Sequence, residues 1–444
     1  MSEQPDDAQY ITGRIVTNGT VIDDGLLAFR RGRIVYCGPA ADFFESRGAN
    51  GVPDGGAGGL PDGGAVRDNA FAPASEFVHS VSLPPGSMIL PGLVDMHCHG
   101  AHGGDFPSGD EEQARGAIDF LHRSGTTSLL ASMVTASHPD LLHGVRTLRR
   151  LAAEGLLAGI HLEGPFLSHS RCGAQNPRWL TDPDLEFTAR LLDAAGGTIS
   201  TMTYAPELPG ANDLVAALAS SGVVPSLGHT DCDADTAASA LESAEAALAG
   251  HMEAPAAGSG PVRRPTATHL FNGMPPAHHR LPGPVPVCLR AAKAGRAVVE
   301  LIADNIHLAP QTVLSVFELA GAANVALVSD SMAAAGLSDG QYWLGPSEIT
   351  VSDGVATLAG GSIAGGTATL LQVLQRTVEA GVPLPDAVTA ATEVPAGVIG
   401  CGNDVGRLQA GYRADALIVS DSWQLQHVLR NGQWLKQLPS NTPG

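Results

Sequence analysis

Between residues 89 and 331 the chain alternates in a way few folds can accommodate. Short apolar runs of strand length fall at 89–99, 126–133, 156–163, 198–206, 223–229, 267–272, 297–304 and 324–331. Amphipathic stretches lie between them at 110–124, 137–154, 181–195, 211–221, 231–250 and 310–320. Helix start signals such as Ser137 before "HPDLL", and stops such as Gly125 and Gly155, punctuate the pattern. Parallel strands need a crossover connection, usually a helix, which also covers the face of the sheet. Eight strands with intervening helices predict a (β/α)8 barrel over 89–398. In that architecture chemistry collects where the strands end.

The chain ends read differently. "ITGRIVTNGTVIDDGLLAFRRGRIVYCG" (11–38) is a series of β-branched runs broken by Asn-Gly and Asp-Gly, a hairpin grammar that "VGRLQAGYRADALIVSDSWQLQHVLRNGQWL" (405–435) repeats. Segments 1–88 and 399–444 are therefore expected to pair into one small β domain. Two stretches rich in Gly and Pro, 49–70 and 253–265, offer little to bury and read as flexible insertions.

Composition narrows the function classes. Hydrophobic residues at 44% and charged residues at 16% of the 444-residue chain support a large core and exclude wholesale disorder. A formal net charge of −20 argues against a nucleic-acid or anionic-membrane surface, since both require basic patches. An anionic substrate would need a few local cations. No run approaches the roughly 20 apolar residues of a membrane span, and "MSEQPDDAQY" lacks the pattern of a signal peptide. Six scattered cysteines without a CxxC pair indicate the reducing cytoplasm.

The ends of the predicted strands carry His97 and His99 in "LVDMHCHG", Glu163 in "GIHLEGP", His229 in "SLGHT", His269 in "THLFNG" and Asp330 in "LVSDSM". Residues two apart on a strand share a face, so His97 and His99 would project together. Taken singly, each has a bland explanation: a solvated loop histidine, a core histidine bonded to a carbonyl, or an aspartate capping the next helix. Six such residues at the ends of five strands are hard to explain that way, because burying them together is costly without a cation. Imidazole and carboxylate ligands suit Zn²⁺, with Fe²⁺ or Mn²⁺ as alternatives. A catalytic ion keeps one position open for water and lowers its pKa. Asp330 would then be free to take and return protons, an arrangement suited to hydrolysing an amide or ester. His161, on the same strand face as Glu163, is expected to support that ligand from behind.

"PGLVDMHCHG", "HLEGPF", "GHT", "THLFNGMPPAHHR" and "LVSDSMAAAGLSDGQYWLG", in this order, resemble the amidohydrolase superfamily and, within it, the N-acetylglucosamine-6-phosphate deacetylases. The resemblance runs from about Ile11 to about Leu435. It implies a barrel flanked by a β-sandwich, with Glu163, His229 and His269 as primary metal ligands and His97 and His99 holding a second ion where two bind. It implies Asp330 as catalytic acid and base. Asn272 and Gly273 correspond to sugar contacts, with Ala usual at the second position. Arg280 and His307 correspond to phosphate contacts, in a pocket completed across a homodimer. Ile363 and Ala364, in "GGSIAGG", correspond to a loop lining the substrate. In "RCGAQNP" Ala174 and Gln175 face the substrate, Gln175 standing where the family has a histidine that polarises the acetyl carbonyl. Asn305, Ser329 and Ser331 also depart from the family pattern.

These features make a metal-dependent deacetylase of N-acetylglucosamine 6-phosphate the leading expectation. An amidohydrolase for another N-acyl amino sugar or N-acyl amino acid is the second. A non-catalytic homologue that binds amino-sugar phosphate is the third.

Overall fold

In a computed structural model the chain is described over residues 8–47, 74–251 and 263–436. The stretch expected as an insertion at 49–70, and residues 253–262 of the second one, lie outside the described residues.

Eight parallel strands form the barrel wall: β1 (Leu93–Asp95), β2 (Thr126–Met133), β3 (Gly159–Glu163), β4 (Ile199–Tyr204), β5 (Val224–Leu227), β6 (Thr266–Ala267), β7 (Val298–Leu301) and β8 (Val325–Leu327). They are hydrogen-bonded in chain order, and every residue of β2 through β8 is buried. Strands covered on both faces read as continuous apolar runs rather than alternating ones, and this is why the runs stand out in the sequence. The ring closes just past the ends of β1 and β8. There the Asp330 amide donates to the His97 carbonyl at 2.9 Å and the His99 amide to the Ser331 carbonyl at 2.7 Å. Buried Asp95 holds this seam. Its carboxylate accepts from the Ser329 hydroxyl at 2.5 Å and from the Ser329 and His97 amides at 3.3 Å each.

Helices α1 (Glu111–Arg123), α2 (His138–Ala153), α3 (Leu185–Ala195), α4 (Ala211–Ser220), α5 (Ala234–His251), α6 (Val285–Lys293), α7 (Pro310–Ala320) and α8 (Leu370–Glu379) surround the wall. Side chains of Asp110, Ser137 and Asp184 accept from Gln113, Asp140 and Phe187 amides and cap α1, α2 and α3. The sequence pattern gave no helix at α6, where "GPVPV" carries two prolines. Its prolines fall in the first turn, where a missing N–H costs nothing.

Strands from both chain ends build a second, mixed sheet of eight, in which Met88–Pro91 runs between Gln9–Thr17 and Ala416–Val419. Alternation sorts its faces: Leu27 and Phe29 pack with Ile11, Ile15 and Ile418, whereas Leu26 and Ala28 pack with Phe43 and Phe77. Asn18-Gly19 and Asn431-Gly432 form the expected turns, all four residues having positive φ. Asp24-Gly25 does not turn. It lies inside the strand Thr20–Arg30, and the chain reverses at Arg31-Gly32 instead.

Two expected strands also resolve differently. The run 89–99 serves both sheets, with Met88–Pro91 in the mixed sheet and Leu93–Asp95 in the barrel. The run 267–272 contributes only Thr266–Ala267 to the wall, and His269 and Phe271 then turn the chain with φ of 26° and 81°. A three-stranded antiparallel sheet, Gly340–Leu344, Ser347–Ser352 and Val355–Thr357, was not expected. It supplies Leu344 to the mouth of the barrel.

Because Asp95 satisfies three buried donors, two of them across the seam, Asp95→Ala should cost about 1.5–3 kcal/mol, on the scale of a hydrogen bond to a charged group. A thermal midpoint equal to wild type in differential scanning calorimetry would contradict this role for Asp95.

Candidate active site

The carboxylate of Glu163, the last residue of β3, lies among four imidazoles. Its Oε1 is 2.8 Å from His229 Nε2 and 3.0 Å from His269 Nε2. Its Oε2 is 3.1 Å from His99 Nε2 and 3.8 Å from His97 Nε2. Asp330 completes the second group, its Oδ1 standing 3.3 Å from His97 Nε2 and 3.2 Å from His99 Nε2. The six side chains predicted from the strand ends thus meet at one point, and all are buried.

Three of the four rings are aimed by their other nitrogen, whereas His269 Nδ1 is buried without a hydrogen-bond partner among the described residues. His97 Nδ1 pairs with Glu300 Oε2 at 3.1 Å, His99 Nδ1 with the Ser132 carbonyl at 3.3 Å, and His229 Nδ1 with the Arg171 carbonyl at 2.8 Å. With those Nδ1–H groups donating, each neutral ring presents an unprotonated Nε2 to the centre. Yet His97 and His99 bring their Nε2 atoms to 3.1 Å, and His229 and His269 to 3.2 Å. Lone pairs that converge in this way call for a cation. The two ligand groups, His97–His99–Glu163 and Glu163–His229–His269, share the glutamate, and either is suited in kind and spacing to a divalent metal ion.

Electrostatics agree. Burial opposes ionisation of Glu163, but hydrogen bonds from the four histidines hold its pKa well below the usual carboxylate range. Burial likewise opposes the charge on Asp330, while His97 and His99 hold its pKa at about 2. His99, pushed down by burial and up by Asp330 and Glu163, comes out at about 9. The cavity demands positive charge, which a bound metal ion would supply in place of protons.

Backbone strain marks the same place. His229, His269 and Asp330 adopt φ of 46°, 26° and 45°, a region uncommon for residues with side chains and frequent at functional sites. Gly273 has φ of 60°, and a Cβ there would lie 2.8 Å from His229 Nδ1. Glycine leaves that ring room.

A cavity of about 240 Å³ opens above the centre. It is lined by His99, Glu163, His229, His269 and Asp330, and by the expected Ala174, Gln175, Asn272, Gly273, His307 and Ile363. His97 lies beneath its floor, fully buried. Ala364 is also buried behind the lining, donating to the Ala356 carbonyl. Arg280 is not brought to this cavity. It is exposed, hydrogen-bonded to His279, and lines a neighbouring groove. Among the described residues no lysine or arginine lines the cavity itself.

Gln175 lines the cavity and also contacts Glu163, whereas His161 has other partners than expected. The Gln175 amide is held at both ends, its oxygen accepting from the Thr135 amide and its Nε2 donating to Glu163 Oε2, each at 2.7 Å. It steadies the shared ligand. His161 does not touch Glu163. It bonds to Ser132 and Thr203, and its ring packs on His97 with centroids 4.3 Å apart. The sequence reading missed Glu300, although a lone carboxylate inside the apolar run "VVELI" was a visible signal. It missed Asp304 as well, whose carboxylate bonds His307 Nδ1 at 2.8 Å. Burial opposes the charge on His307, but Asp304 raises its pKa above the ordinary histidine value.

The barrel, the shared glutamate and the paired histidines define a hydrolase class, and the chain belongs to the amidohydrolase family, whose model matches residues 88–435. More particularly, it is 33% identical over 363 residues to the N-acetylglucosamine-6-phosphate deacetylase of Bacillus subtilis (strain 168), covering 80% of this chain and 86% of that one. It is 30% identical over 368 residues to the deacetylase of that name from Homo sapiens, covering 79% and 84% of the two chains. Among solved structures it is similar to the Mycobacterium smegmatis N-acetyl-D-glucosamine-6-phosphate deacetylase in complex with N-acetyl-D-glucosamine-6-phosphate. That match has a TM-score of 0.79 at 33% identity and covers 96% of this chain and 99% of that one.

Purified protein should carry at least one divalent transition metal per chain by elemental analysis. Chelation should lower its thermal midpoint, because an ion bound only by the folded chain stabilises it. Metal-free protein that melts at an unchanged temperature would contradict the ion site.

Proposed function

We propose that this chain hydrolyses the acetamide of N-acetylglucosamine 6-phosphate, giving glucosamine 6-phosphate and acetate. The observation that carries the reading is the buried set of Glu163, four histidines and Asp330 at the floor of a cavity, in a chain whose similar relatives bear that activity in their names. Glu163, His229 and His269 would hold the primary ion, and His97 and His99 a second. Zinc is the metal we favour, with iron or manganese as the alternatives. When bound, the ion polarises the acetyl oxygen and acidifies water.

The chain's own residues do the rest. Asp330, kept ionised at neutral pH by His97 and His99, takes the proton of the attacking water as its oxygen bonds to the acetyl carbon. It then returns that proton to the nitrogen as the C–N bond breaks. Asn272, Gly273, Ala174, Ile363 and Ala364 shape the sugar subsite, and Gln175 keeps Glu163 in place. His307, made more cationic by Asp304, receives the phosphate.

Arg280 is proposed to act across a homodimer. It stands outside its own cavity, beside Leu281, which is 77% exposed, and a partner chain would both cover that leucine and bring an arginine to the phosphate. We place the enzyme in the cytoplasm, consistent with six free cysteines. No helix among the described residues is long and apolar enough to cross a membrane. The cavity's lack of a lysine or arginine of its own favours, as a second reading, an N-acyl amino sugar without the phosphate.

The reading is tested by acetate release from a panel of N-acetyl sugars with and without the 6-phosphate. It predicts a strong preference for the phosphorylated glucosamine derivative, and equal rates on the free sugar would move the assignment to the second reading. Asp330→Asn should lower kcat on the preferred substrate by a factor on the order of 10²–10⁴, the usual scale for a general acid and base. A kcat within a few-fold of wild type would remove Asp330 from the proton path.

A further inference from the structure

Glu300 is the only carboxylate in the inner wall of β7, and it is 1% exposed. A buried carboxylate without a strong partner is costly. Its Oε2 accepts from two groups at once, the His97 Nδ1–H at 3.1 Å and the His269 backbone amide at 3.2 Å. One oxygen therefore joins a histidine of the first ligand group to the backbone of a histidine in the second. His99 and His229 lean on backbone carbonyls, whereas His97 leans on a charge. The His97 ring also packs against His161 and, with centroids 5.5 Å apart, against His269.

We infer that Glu300 is a positioning residue for the metal centre. It fixes His97 in the tautomer with Nδ1 protonated and Nε2 free, makes that nitrogen a stronger ligand, and pins the turn that carries His269. A carboxylate hydrogen-bonded to the far nitrogen of a ligating imidazole raises its basicity and sets its angle, and losing such a partner typically weakens metal binding by 10- to 100-fold. The inference rests on the ion site proposed above but is independent of which N-acyl compound is the substrate.

The test titrates metal-free full-length protein with cobalt(II), following the visible absorption bands of the bound ion. Glu300→Met fills a similar volume without an acceptor and should weaken apparent cobalt affinity by about 10- to 100-fold, with altered bands. Glu300→Gln retains an oxygen able to accept both hydrogen bonds but not the charge, and should fall between wild type and Glu300→Met. Cobalt binding by Glu300→Met at wild-type affinity would overturn the inference. So would a Glu300→Gln variant as impaired as Glu300→Met, since that would leave the acceptor oxygen without a role. If the methionine variant fails to fold, Glu300→Ala takes its place with the same two outcomes. No substrate is used, so an error in the deacetylase assignment would not affect the result.

Discussion

The whole centre depends on one carboxylate shared by two pairs of imidazoles. Glu163 faces His229 and His269 with one oxygen, and His97 and His99 with the other. These residues come from strands that are far apart in sequence, and only a closed ring of strands brings their ends to one point. The seam at Asp95 and Ser329 is therefore part of the site's architecture: it sets where β1 meets β8, and so where His97 and Asp330 stand. Repulsion among converging nitrogens and the burial of charge would both disfavour this arrangement in a chain with no ion to bind.

The supporting contacts follow one logic. Four of the five ligand side chains meet a partner that restricts them: Gln175 on Glu163, Glu300 on His97, Ser132 on His99 and Arg171 on His229. Left-handed backbone at His229, His269 and Asp330 turns the chain sharply where the strands end, so that side chains project over the barrel mouth and the chain does not continue the wall. Around this rigid floor the mouth is built from loops and from the small sheet bearing Leu344. Chemistry and substrate choice thus sit on different parts of the fold.

Much of this was legible in the sequence because the signals were local. Buried parallel strands leave unbroken apolar runs, and an ionisable residue at the end of such a run is conspicuous, as with His97, Glu163, His229, His269 and Asp330. What was hidden depends on distance. Glu300 acquires meaning only beside His97, 203 residues away. Nothing local to Gln175 shows that Thr135 and Glu163 hold both ends of its amide. The run 89–99 gives no sign that Gly92 divides it between two sheets. Arg280 reads as part of a phosphate pocket, yet within one chain it points into a different groove.

The central claim is that Glu163 is the common ligand of the metal centre. It is tested most directly by a crystal structure of the metal-loaded protein with data collected on either side of the metal's absorption edge. The account predicts an anomalous peak within about 2.0–2.2 Å of a Glu163 carboxylate oxygen and of the Nε2 atoms of at least two of these histidines. A peak bound elsewhere, with Glu163 and the histidines unmoved and free of the ion, would contradict it.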